Sequence, residues 1–168
     1  INNKTTINPV WIMRQAGRYL PEFREIRKEN SNFIELCLNH KLSSEITLQP
    51  IKRFDLDAAI IFSDILMLPY GLNQKVEFKK NFGPTLGNLD IKSMSKIDEI
   101  DFVEKIYPVY KAIKSVSLEM NSKNKNTIGF VGAPWTLLVY MINQQSPKKN
   151  VKKDFFKDDF LINRILLI

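Results

Sequence analysis

The stretch Asp57-Ala58-Ala59-Ile60-Ile61-Phe62-Ser63-Asp64 (DAAIIFSD) decides how the chain is read. Residues 58–62 are apolar without interruption. A strand with one wet face alternates apolar and polar residues, because successive side chains point to opposite faces. An unbroken apolar run of strand length is buried on both faces, which is the habit of a parallel sheet covered by helices. Ser63 and Asp64 close the run, and a second apolar stretch, ILMLP, follows. Two readings of Asp64 stand side by side. A carboxylate between two such runs must find donors or be very costly to ionise. Alternatively, it caps the start of the next helix.

Working outward, helix and strand signals alternate. Upstream, LSSEITLQPIKRF (42–54) places Leu42, Ile46 and Phe54 on one helical face, with a kink expected at Pro50. NFIELCLNH (32–40) reads as a short helix capped by Ser31 or Asn32, with Glu35 completing a capping box. Pro21 opens a helix over PEFREIRKE (21–29). Before it, PVWIM (9–13) is a β-favouring run read as the first strand, ending at Arg14 and the turn RQAG.

Downstream, KVEF (75–78) is a weaker strand and FGPTLG (82–87) is turn chemistry. From Asp101, the apolar positions Phe102, Ile106, Val109, Ile113, Val116 and Met120 step by four and three, giving an amphipathic helix with Pro108 near its start. TIGFVGA (127–133) reads as a strand, Pro134 opens the helix PWTLLVYMIN (134–143), SPKKN (146–150) is a loop, and DDFLINRILLI (158–168) is a last helix. The order is that of an α/β protein with a parallel sheet. Arg14 and Asp64 fall at the carboxyl ends of strands and Tyr140 just beyond the third, the edge that carries active sites in such sheets.

Composition narrows the class. The 168 residues are 44% hydrophobic and 26% charged, an ordinary balance for one globular domain. No run reaches the roughly 18 apolar residues of a membrane span, and the first residues are polar, so a cytoplasmic protein is expected. One cysteine, Cys37, and one histidine, His40, leave no disulfide framework, no cysteine metal cluster and no Ser-His or Cys-His mechanism within the chain. The glycines of GFVGAPW do not form a dinucleotide or phosphate loop. The net charge of +7 raises a nucleic-acid reading, but 19 of the 25 basic residues are lysines scattered through polar loops. Isoleucine, lysine and asparagine make up about a third of the chain, a bias that raises the charge without a partner.

Arginine is distributed differently. Four of the six, Arg14, Arg18, Arg24 and Arg27, lie in one short segment, where a planar donor fork is favoured over a point charge. Arg14 and Arg18 flank Gln15, Ala16 and Gly17. They read either as a carboxylate-binding pair or as surface charges making weak exposed ion pairs. Arg24 and Arg27 read as solvated, Arg27 with a claim to the rim of a site. Tyr140 reads as a core aromatic or a site residue, His40 as surface and Cys37 as a packed helix residue.

Three stretches, PVWIMRQAGRYLPEFREIR (9–27), ITLQPIKRFDLDAAIIFSDIL (46–66) and IGFVGAPWTLLVYMI (128–142), closely resemble the uroporphyrinogen decarboxylase family, in the right order and with little interruption from Asn8 to Ile142. The resemblance implies a (β/α)8 TIM barrel, usually a cytoplasmic homodimer, that converts the four acetates of uroporphyrinogen III to methyl groups, giving coproporphyrinogen III and carbon dioxide without metal or organic cofactor. It implies that Asp64 accepts hydrogen bonds from the pyrrole N–H groups, that Arg14 and Arg18 bind substrate carboxylates with Arg14 at the proton-donating step, that the backbone of Gln15, Ala16 and Gly17 lines the pocket, and that Tyr140 stands beside the substrate. The stretches correspond to the first half of a family member. The expectation is therefore a single incomplete barrel domain over 1–168, three to four strands long, with a catalytically incompetent fragment as the alternative. Where the family has a glutamate and a glycine-rich loop after the tyrosine, this chain reads INQQSPKKN (142–150). A corrinoid-linked methyltransferase would need His/Cys metal ligands, which one of each does not supply.

Overall fold

A computed structural model describes residues 8–79, 82–146 and 162. The protein is α/β, with helices and two small sheets. It divides into two compact units: residues 8–31, 36–63 and 108–130 in one, and 32–35, 64–79, 82–107, 131–146 and 162 in the other.

In the first unit, α1 (Pro21–Glu29) starts on its proline, with Glu22 in the first turn and Arg27 and Lys28 in the last, matching the helix dipole. The α2 helix (Phe33–Leu38) crosses the division, and Asn32 caps its start, Oδ1 accepting from Ile34 N and Glu35 N; Glu35 Oε1 accepts from the Asn32 side-chain Nδ2, where a capping box would use the backbone N–H. The α3 helix (His40–Phe54) is capped by Asn39 and ends on Asp55 in the left-handed conformation. It continues through Pro50, buried on nearly every side from Ser43 to Ile51. Phe54, expected on its apolar face, is instead exposed and stacks on Tyr19 with ring centroids 6.2 Å apart.

The decisive stretch forms β1 (Ala58–Ile60), whose parallel partner β4 (Asn126–Ile128) follows after a long crossover. Ala59 pairs with Thr127, and Ile61 N donates to Ile128 O just past the ladder. Ala58, Ala59 and Ile61 are buried, while Ile60 and Phe62 are half-buried, so the burial expected on both faces is complete only on the face of Ala59 and Ile61. Leu48 and Ile51 of α3 pack with Ala59 and Ile61, and Val116 and Met120 of α6 (Glu99–Ser122) join the same core cluster. The helix α6 carries Pro108 within it, and the division between the units falls there.

The second unit holds α4 (Met67–Gly71), α5 (Ile91–Met94), α7 (Pro134–Asn143) and a hairpin of β2 (Val76–Lys79) with β3 (Gly83–Leu86), besides the first part of α6. Gln74 is buried and ties the hairpin to α7, its Nε2 donating to Gly87 O (2.9 Å) and Met141 O (3.0 Å).

Three sequence expectations are corrected. The strand read at 127–133 is confined to its start, β4 ending at Ile128 with no strand over 129–133. FGPTLG is not only a turn: residues 83–86 pair with β2 in register Val76↔Leu86 to Lys79↔Gly83. Gly83 supplies φ +92°, which glycine adopts without a Cβ clash, and proline is tolerated in an edge strand. PVWIM is not a strand. Only Val10 meets β1's approach, with Asp57 N donating to Val10 O (2.9 Å) and Val10 N to Asp57 Oδ2 (2.6 Å). Of the expected helix at 158–168, Ile162 is described: it is helical and buried with Leu138 and Ile142. The rest of that stretch and most of the 146–150 loop lie outside the described residues.

Candidate carboxylate-binding site

The turn after Met13 begins with a side chain doing the work of a strand. Gln15 is buried, and its amide donates from Nε2 to Ala58 O (2.7 Å) and accepts at Oε1 from Ile60 N (3.0 Å). Those two groups flank Ala59, and a neighbouring parallel strand would take the same pair. Gln15 thus closes that stretch of the β1 edge, which is the physical reason PVWIM forms no ladder there. Ala16 packs against the cluster of Leu20, Phe23, Leu36 and Ile46. Gly17 O accepts from Leu20 N (3.0 Å), completing a turn that leads into α1.

Arg14 and Arg18 are both exposed on this turn, separated by the anchored Gln15-Ala16-Gly17. Tyr19 Oη donates back to Gln15 O, and Arg24 Nη1 donates to Arg18 O (2.8 Å) and Tyr19 O (3.2 Å). Arg24 therefore braces the turn and is not merely solvated. Arg27 is half-buried and donates to Asn30 O (2.7 Å). Burial, and next the positive charge of Arg18, hold its pKa below the ordinary guanidinium value. The two guanidiniums thus add to the local positive potential. Tyr19 is about half exposed, and the partial desolvation of its hydroxyl, followed by the Glu22 carboxylate and partly opposed by Arg53, raises its pKa.

A Cβ placed on Gly17 would meet only Tyr19 ring carbons at 3.7 and 3.8 Å, ordinary contacts. Its φ lies outside the left-handed region, so neither backbone nor packing demands glycine there.

Asp64 belongs to the second unit. It lies four residues past β1, where its Oδ1 accepts from Leu66 N (2.8 Å) and its carbonyl from Met67 N (3.1 Å). Both sequence readings are present in part. The carboxylate caps the turn into α4, and burial raises its pKa against the opposing effect of the Leu66 N–H. One backbone donor leaves further carboxylate lone pairs for a ligand's N–H groups.

Tyr140, in the same unit, is half-buried on α7. Gly132 is so tight against Leu137, 2.7 Å from an added Cβ, that the approach to this helix requires glycine. Beyond the tyrosine, Gln144 takes the left-handed cap (φ 60°), its N–H bonding Tyr140 O (2.8 Å) and its carbonyl accepting from Leu86 N (2.8 Å). A glutamine therefore holds a position that glycine fills most easily.

Sequence reasoning missed Tyr19 and the brace at Arg24. The clustering of arginines in a lysine-rich chain was the available signal. Cys37 is fully buried, as its helical spacing suggested, and His40 is half-buried at the start of α3. Among the described residues no group of His, Cys, Asp and Glu could hold a metal ion, and no helix is long and apolar enough to cross a membrane.

The sequence pattern of the family described as uroporphyrinogen decarboxylase (URO-D) matches residues 2–168. The chain is 47% identical over 143 residues to the uroporphyrinogen decarboxylase of Agrobacterium fabrum, covering 84% of this chain and 41% of that protein. It is 43% identical over 166 residues to that of Campylobacter jejuni (96% and 48%) and 42% identical over 167 residues to that of Rickettsia conorii (98% and 47%). The chain spans about half the length of these relatives.

Proposed function

The chain belongs to the uroporphyrinogen decarboxylase family, and from that premise we propose that the protein removes carbon dioxide from the acetate side chains of uroporphyrinogen to give coproporphyrinogen. The observation that carries this reading is the arginine turn: two exposed guanidiniums on a backbone anchored by Gln15, in a chain whose relatives are named for a substrate rich in carboxylates. The described α/β elements are read as part of a (β/α)8 barrel, and the protein as a cytoplasmic homodimer acting on a small molecule, without nucleic acid, membrane, metal or organic cofactor.

The chemistry needs a place for an electron pair. Protonation of the pyrrole ring makes it cationic. The bond from the acetate methylene to its carboxylate then breaks, carbon dioxide leaves, and the pair flows into the ring. The exocyclic carbon takes a proton and the ring gives one back, so each acetate consumes one proton. Asp64 accepts the pyrrole N–H and stabilises the developing cation, the kind of preorganised charge that contributes most to catalysis. Those N–H donors also offset the desolvation that raises its pKa. Arg14 and Arg18 hold substrate carboxylates through their donor forks. Arg14 also partners the proton donor, since a guanidinium is itself a poor acid. Gly17, required by nothing in the fold, leaves its own main chain without a side chain over it, and the backbone of Gln15, Ala16 and Gly17 lines the pocket. Tyr140 stands beside the macrocycle.

The test is anaerobic assay in the dark of the protein made from its complete native reading frame, following coproporphyrinogen formation. Turnover is expected. Binding of the polycarboxylate without turnover would establish the non-catalytic alternative, and neither binding nor turnover would overturn the reading.

A further inference from the structure

The turn at residues 13–20 forms no helix or strand, yet its main chain is pinned at three points. Gln15 fixes it to the β1 edge through two hydrogen bonds, Tyr19 Oη reaches back four residues to Gln15 O, and Arg24 reaches from α1 to the carbonyls of Arg18 and Tyr19. We propose that Gln15, Tyr19 and Arg24 are positioning residues that set the backbone between Arg14 and Arg18 before a carboxylate arrives, so that the two guanidiniums are presented as a preformed pair. This rests on the reading of Arg14 and Arg18 as carboxylate-binding.

The three contacts share a chemistry that suits an anion site. Gln15 O, Arg18 O and Tyr19 O all belong to the turn, and each already accepts a hydrogen bond from Tyr19 or Arg24. Oxygens so occupied are less available to repel a carboxylate. Gln15 is suited to its place because its amide carries a donor and an acceptor side by side, as a strand residue does. A loop left to order on binding would weaken affinity by the conformational freedom it lost. Here the ordering accompanies folding.

The experiment compares Tyr19→Phe, Gln15→Glu and Gln15→Met with the parent in the protein made from its complete reading frame. Affinity for uroporphyrin, the oxidised fluorescent octacarboxylate, is read by fluorescence titration, alongside KM, kcat and thermal unfolding. Tyr19→Phe deletes one hydroxyl and keeps the ring that stacks on Phe54. It is expected to raise Kd and KM by about 2- to 10-fold, the effect of one lost hydrogen bond, with kcat unchanged. Gln15→Met should exceed it, and Gln15→Glu, which sets a buried carboxylate oxygen against the Ala58 carbonyl where an N–H stood, should weaken binding at least as much as Gln15→Met. A merely structural role would lower unfolding temperature and the active fraction, so that apparent kcat fell while Kd and KM held; that overturns the proposal. If Gln15→Met does not fold, Tyr19→Phe decides alone. Arg18→Met separates the two levels. Unchanged binding in Arg18→Met removes the carboxylate reading and this proposal with it, whereas weakened binding there with parental Kd in Tyr19→Phe overturns only the positioning role.

Discussion

Asp64 is held where burial works against its charge, with the Leu66 N–H opposing that effect only in part. Because its folded pKa is raised above the unfolded value, its favourable contribution to stability is complete below the ordinary aspartate pKa and is lost as pH rises through the folded value. At neutral pH the ionised group therefore costs stability that asparagine would not. Asp64→Asn, whose Oδ1 still accepts from Leu66 N, should unfold at the same or a higher temperature at pH 7. Its advantage over the parent should shrink as pH falls toward 4. The same substitution should cut turnover by more than about tenfold, because the stabilising charge is gone while the shape remains. Near-parental decarboxylation would remove Asp64 from the mechanism. The arginines are tested by conservative exchange: Arg14→Lys and Arg18→Lys keep the charge but lose the planar fork. Both should raise KM for the octacarboxylate severalfold. Parental kinetics in either variant would identify that arginine as a surface charge.

The end of β1 shows how one element shapes another. Phe62 lies past the ladder, and its main-chain groups are taken by α3: its N–H donates to Thr47 Oγ1 (2.8 Å), and its carbonyl accepts from Ser43 Oγ (2.6 Å). Thr47 is buried and itself donates to Ser43 O (2.7 Å). Hydroxyls on a helix thus replace the next rung of the sheet, two residues before Asp64 in the chain. Thr47→Val would leave the Phe62 N–H without its acceptor and is expected to cost about 1–3 kcal/mol. A urea unfolding midpoint within error of the parent would contradict this, and Thr47→Ser should recover most of the loss. The helix α3 also shows how a buried helix accommodates Pro50. Proline removes one donor, but burial from Ser43 to Ile51 keeps the helix continuous around it.

For the chain as a whole, the net charge of +7 is not one field. Lys123 pairs with Glu119, Lys125 with Asp55 and Leu56 O, and Lys75 with Glu77. Lys105 lies over the Tyr70 ring and bonds Asn73. The exposed arginines of the 13–20 turn carry the charge assigned to the ligand. Raising salt from about 0.1 M to about 1 M shortens the screening length from about 10 Å to about 3 Å and should weaken uroporphyrin binding. Lys123→Met, by contrast, should leave the affinity within about twofold, since an exposed i,i+4 pair contributes little. A loss in Lys123→Met as large as that in Arg18→Met would show that diffuse charge, not fork geometry, holds the anion.

What the sequence determined by itself was the set of elements whose signals are local. The unbroken apolar run at 58–62 made a parallel strand over 58–60, the prolines at 21 and 134 opened helices, Asn32 capped α2, and four arginines marked one segment. For the caps and helix starts the groups that satisfy one another are a few residues apart, whereas the apolar run declares only its burial, and its partner strand, Ala58↔Asn126 to Ile60↔Ile128, comes from far along the chain. Tertiary structure decided the fate of PVWIM, the hairpin at residues 83–86, and the tasks of Gln15, Tyr19 and Arg24. Gln15 bonds main-chain groups 43 and 45 residues away, and no local pattern announces which side chain will take a strand's edge. A free strand edge accepts any donor and acceptor that arrive with the right spacing. Which ones arrive is settled only when the chain has folded back on itself.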